Sequence, residues 1–180
     1  MGKYLASSNN GGKRRKIALL LMLIGIVLIS TAIAAGWLRI TLEKSDPTWL
    51  PETLAGLVLE QLVQGEEAVS EINRLHGKSF ALVDGAVGSY GGGQVTLWVS
   101  QAQTTSSAEE ILFAMRDRIA EGDSLFTPLS ESTRGHRTVY EAEGMGQIHY
   151  YFQSSDLVIW LAVEITIAET ALTDALDHFP

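Results

Sequence analysis

The sequence predicts an α+β protein: an N-terminal transmembrane helix, then an antiparallel sheet with helices packed on one face, a ferredoxin-like core with added strands. Three observations predict it. An uncharged apolar run extends from Ile17 to Leu38, segments alternating apolar and polar residues are separated by Gly-rich turns, and further segments place apolar residues at helical spacing behind acidic or hydroxyl-bearing starts.

The order of elements begins with a tail. Residues 1–16 carry Lys3, Lys13, Arg14, Arg15 and Lys16, no acidic residue, and the polar stretch Ser7 to Gly12, a composition that predicts disorder. Ile17 to Leu38, as a helix rising 1.5 Å per residue, would be about 33 Å long and match the hydrocarbon core of a bilayer. The Lys13 to Lys16 cluster before it predicts a cytoplasmic N-terminus, and Trp37 suits the outer interface. A cleaved signal peptide is the rival reading, with Ala32-Ile33-Ala34 as the small-residue cleavage site. The continuation of the apolar run to Leu38 favours a signal anchor, and both readings send the rest of the chain across a bacterial cell membrane.

Residues 39–50 read as a linker and 51–180 as the exported domain. Leu57 to Gly65 predicts a strand. Glu66 to His76 predicts a helix, with Ala68, Val69, Ile72 and Leu75 on one face, acidic residues in the first turn and Gly77 as the stop. Phe80 to Tyr90 and Gln94 to Gln103 predict a hairpin across Gly91-Gly92-Gly93, with Val95, Leu97 and Val99 alternating against Thr96, Trp98 and Ser100. Ser106 and Ser107, each three residues before a glutamate, predict the caps of a second helix that buries Ala108, Ile111, Leu112, Met115 and Ile119 and ends at Gly122. Thr138 to Glu143 and Gln147 to Gln153 predict a second hairpin. Leu157 to Val163, apolar throughout, predicts a central strand covered on both faces, and a last helix starts at Thr166 in a box with Glu169.

Composition excludes several chemistries. With no cysteine there is no disulfide framework, thiolate metal site or cysteine nucleophile. The formal charge of −8 divides into +5 before Ile17 and, from 8 basic and 21 acidic residues after Leu38, −13 beyond it. So acidic a domain excludes nucleic acid as its partner. His76, His136, His149 and His178 have no zinc-motif spacing, and the spacing of Met145 and His149 on a strand is too long for both to ligate one haem iron. The glycines from Gly85 to Gly93 lack a phosphate-loop pattern, and Glu109-Glu110 is explained by helix capping. No metal, cofactor or catalytic set is expected.

Gln147 to Phe152 turns Ile148, Tyr150 and Phe152 to one side and His149 and Tyr151 to the other. If one face of the sheet is open, Trp98, His149 and Tyr151 share it and form a surface for a ligand or partner. The expected function is therefore a membrane-anchored, non-catalytic binding domain, an interaction or accessory subunit of an envelope complex or a homo-oligomer. The alternative is a small-ligand or lipid-binding domain, with an apolar pocket between sheet and helices. An enzyme using His149 as its base is the remaining alternative.

Overall fold

The computed structural model describes residues 49–76, 80–122 and 124–180. The expected tail and membrane span, with Lys13, Arg14, Arg15, Lys16 and Trp37, lie outside the described residues. Among those described, no helix is long and apolar enough to cross a membrane.

Among the described residues eight strands and three α-helices follow one another: β1 (Thr53–Leu54), β2 (Leu57–Gln64), α1 (Glu66–His76), β3 (Leu82–Tyr90), β4 (Val95–Ala102), α2 (Thr105–Ala120), β5 (Thr127–Arg134), β6 (Arg137–Gly144), β7 (Gln147–Ser154), β8 (Leu157–Val163) and α3 (Ala168–His178). The strands form one sheet in the order β1-β2-β3-β4-β8-β7-β6-β5, antiparallel at every pairing. The α+β class thus holds. The ferredoxin-like core does not form, because α1 joins two adjacent antiparallel strands and α2 carries the chain from β4 past three strands to the far edge at β5.

Turn chemistry sets these pairings. Gly91, Gly92 and Gly93 all take positive φ between β3 and β4, and Leu57 packs where a Cβ on Gly91 would stand. Between β6 and β7 the turn is Met145-Gly146, both at positive φ, which matches the twist of a two-residue hairpin.

Helices cover both faces of the sheet, not one. On the first face Leu97 and Val99 of β4, Ile159 and Leu161 of β8 and Tyr150 and Phe152 of β7 pack beneath Ala171, Leu172 and Ala175 of α3, joined by Leu50 and Leu54. On the second face α2 lays Ala108, Ile111, Leu112, Met115 and Ile119 over Tyr140, Ala142, Tyr151 and Val158, while α1 sets Ala68 and Ile72 on Val87. The physical reason is the apolar run of β8, flanked by β4 and β7: its side chains leave the sheet in both directions and need cover in both. Leu50, at the end of the expected linker, is 1% exposed and part of the core.

The helix starts also differ from expectation. Thr104, not Ser106 or Ser107, caps α2, its hydroxyl accepting the Ser107 amide at 3.1 Å. A 3-10 turn over Ile165–Ile167 leads into α3, which has no side-chain cap, so the Thr166 box is not made. The C-terminal end of α3 is capped instead by Arg137, whose guanidinium donates to the Leu176 carbonyl at 3.0 Å and to that of Phe179. His178 bonds the Trp49 carbonyl at 2.8 Å, tying the chain's entry to the same helix.

Leu172 is 1% exposed and joins α3 to the sheet. Its replacement by Ala is expected to lower stability by about 2–5 kcal/mol. Leu129→Ala, on the exposed edge strand β5, should stay within about 0.5 kcal/mol. Chemical denaturation of both variants checks the contrast.

Candidate functional site

The second face carries one continuous row of large residues. Register pairs Tyr140 with Tyr151, Tyr151 with Trp160, Trp160 with Trp98 and Trp98 with Val87, so the row crosses five neighbouring strands. Tyr140 and Tyr151 stack with centroids 5.1 Å apart, and Tyr151 and Trp160 at 5.0 Å. Beneath α2 this row is closed.

Over the middle strands it is open. α2 lies mainly over β7 and β8 and α1 over β2 and β3, and next to the two tryptophans the residues of β4 and β8 that line the space between the helices are small: Ser100 and Ala162. The result is a cleft of about 730 Å³. Trp98, Ser100, His149, Trp160 and Ala162 form its floor; Ile111, Met115 and Ile119 of α2 line one wall, and Ile72 and Leu75 of α1 the other. Phe126, Leu125 and Met145 complete it, and Leu75 (60% exposed), Leu125 (79%) and Met145 (76%) leave an apolar rim in solvent. The volume falls within the range of sites for small organic ligands.

Trp98, His149 and Tyr151 do share a face, as their alternation implied, but not as an open surface. Tyr151 is 2% exposed and lies under α2 between Tyr140 and Trp160; burial pushes its phenol up to about 12. Trp98 and His149 line the cleft. The indole N–H of Trp98 is buried without an acceptor among the described residues, and an unpaired buried donor costs about 1–3 kcal/mol.

His149 is 3% exposed, and both of its ring nitrogens are engaged. Nε2 lies 3.0 Å from the Gly144 carbonyl, while Nδ1 accepts from the Trp160 indole N–H at 3.1 Å. This pair of bonds specifies the neutral tautomer with its proton on Nε2. Phe126 closes edge-on over the imidazole at 4.7 Å. Gly144 permits that contact, since a Cβ there would collide with the Phe126 ring. His149 therefore positions Trp160 in the cleft floor, and its Nδ1 lone pair is occupied by the indole. No carboxylate is hydrogen-bonded to it, and among the described residues no three His, Asp or Glu side chains gather at metal-binding distance.

Sequence reasoning missed Trp160, Ser100, Ala162 and Phe126. In β8 the alternation that would have separated Trp160 from Ile159 and Leu161 is masked, because both faces are apolar. Spacing alone gives no sign that α1 and α2 stand apart.

No protein-family model, curated protein or solved structure matches this chain.

Burial disfavours the imidazolium of His149 and outweighs its bond to the Gly144 carbonyl, so its pKa in the folded state lies below the ordinary 6.5. As pH falls through the ordinary histidine range the unfolded chain takes up the proton first. The stability this group contributes is thus full above about pH 6.5 and declines toward the folded pKa. The melting temperature of the wild type should fall more steeply from about pH 7.5 to 5 than that of His149→Asn, which keeps an acceptor for Trp160 but does not titrate. Thermal melts across that range measure the difference.

Proposed function

We propose that residues after Leu38 form an extracytoplasmic binding module, held at a bacterial cell membrane by the 17–38 helix, and that the module binds a small apolar or amphipathic molecule in the cleft between α1 and α2. The observation that carries this reading is the cleft itself: about 730 Å³, floored by two indoles and walled by aliphatic side chains. The engaged nitrogens of His149 support a binding role over a catalytic one for this residue. The apolar rim of Leu75, Leu125 and Met145 favours a second reading, in which a partner protein or another copy of the chain inserts side chains there.

A neutral fluorescent naphthylamine should bind the full-length protein and be displaced by n-alkanols. Affinity should rise about fourfold per added methylene, from roughly 0.8 kcal/mol each, until the cleft is filled. Ser100→Phe, which fills the floor, should abolish displacement. A flat chain-length series would remove the small-ligand reading, and concentration-dependent association lost in Leu125→Asp would favour the partner reading.

Topology has its own test. Alkaline phosphatase fused after Pro180 should be active in cells, and intact mass of the native protein distinguishes a retained anchor from cleavage after Ala34. An inactive fusion with a stable chain would place the domain in the cytoplasm.

A further inference from the structure

We propose that the ligand is a neutral molecule with a carbonyl oxygen on an apolar body, and that this oxygen accepts a hydrogen bond from the Ser100 hydroxyl in the cleft floor. This rests on the reading of the cleft as a small-ligand site and names the group by which its occupant is recognised.

The hydrogen-bond inventory of the floor carries the inference. Trp160 donates its indole N–H to Nδ1 of His149, and Nε2 of the same ring meets the Gly144 carbonyl. Ala162 has no polar side-chain atom. The indole N–H of Trp98 lacks an acceptor but is sealed from solvent, so a ligand does not reach it. Of the five floor residues Ser100 is left. It is 7% exposed and lines the cleft, and its hydroxyl has no hydrogen-bond partner among the described residues. Register explains why: the neighbours of Ser100 across β3 and β8 are Gly85 and Val158, neither of which offers a polar side-chain atom.

Such a hydroxyl selects among apolar ligands. A body that expels water from the floor removes the solvent partners of Ser100, and a hydrocarbon gives nothing in return. A carbonyl oxygen restores the bond. It also brings no donor of its own, whereas two facing hydroxyls share one bond and leave one O–H unpaired. A charged group is disfavoured there, because among indoles and Ala162 it would exchange its hydration for a single hydroxyl. The apolar body then extends over Trp98 and Trp160 toward the walls.

The test uses the full-length protein in discs of neutral phosphatidylcholine, with discs carrying Ser100→Phe as the blank for partition into the bilayer. The competitors against the neutral naphthylamine are 2-acetylnaphthalene, its isostere 2-isopropylnaphthalene and the anion 2-naphthoate. In Ser100→Ala the affinity of the ketone relative to the isopropyl compound should fall about two- to tenfold, and Ser100→Thr, which keeps the hydroxyl, should preserve it. The infrared carbonyl stretch of the bound ketone should lie lower in the wild type than in Ser100→Ala. Without ligand, Ser100→Ala should melt no lower than the wild type, since its hydroxyl makes no bond in the protein; a marked drop would overturn the proposal. An unchanged ratio in Ser100→Ala, with the naphthylamine still bound, overturns the carbonyl contact and leaves the apolar site standing. Naphthoate binding as tightly as the ketone, and weakened by Ser100→Ala, overturns the neutral ligand. Failure of the naphthylamine and both neutral competitors to bind, or binding unchanged in Ser100→Phe, overturns this proposal and the cleft reading together.

Discussion

The structure depends on one requirement: β8 and its neighbours are apolar on both faces and must be covered twice. Leu97, Ile159, Leu161 and Phe152 leave the sheet on one side, and Trp98, Trp160 and Tyr151 on the other. On the first side α3, with Leu50 and Leu54 from the chain's entry, closes over them. On the second side two helices share the task from opposite halves of the sheet. The cleft lies where their covers fail to meet.

That difference accounts for the distribution of polar groups. The first face is sealed by aliphatic packing, with its hydrogen bonds at the periphery: Arg137 on the end of α3, His178 on Trp49, and Asp174 accepting the Ala55 amide at 2.8 Å. The second face holds a buried histidine in its floor. His149 links the β6–β7 turn at Gly144 to Trp160 on β8, and Phe126 covers the junction. Two satisfied bonds in a low-dielectric setting fix one imidazole orientation and therefore one indole orientation. The floor of the cleft is thereby given a fixed shape.

Most of the elements were legible in the sequence, because each long segment carried a clear period and a chemically specific stop. α1, the two hairpins, β8 and α2 follow from Ala68 and Ile72 spacing, the Gly-bearing turns and the alternation of Val95 to Val99. The edge strand β5 was not legible: Thr127 to Arg134 is exposed, polar and carries Pro128 as its second residue, so neither alternation nor β propensity marks it, and its backbone bonds to β6 hold it. The single-face arrangement failed for a different reason. Covering β8 on both sides already demanded two helical layers, but which helix lies on which side is set by strand order, which local period does not encode. The same limit hid the site, since Trp98 and Trp160 are 62 residues apart and meet only through the β4–β8 register.

The cleft also bears on what the fold is for. Stability alone favours closure, because buried volume left unfilled forfeits dispersion contacts and each methylene taken from water contributes about 0.8 kcal/mol. Ser100 and Ala162, both small, lie in the floor of the gap. The Trp98 N–H stays unpaired among the described residues, and Leu75, Leu125 and Met145 stay in solvent. These departures from optimal packing lie on the surface between α1 and α2, while the opposite face has a continuous apolar core. Filling the gap would restore those contacts, which is the packing argument behind the proposed occupant.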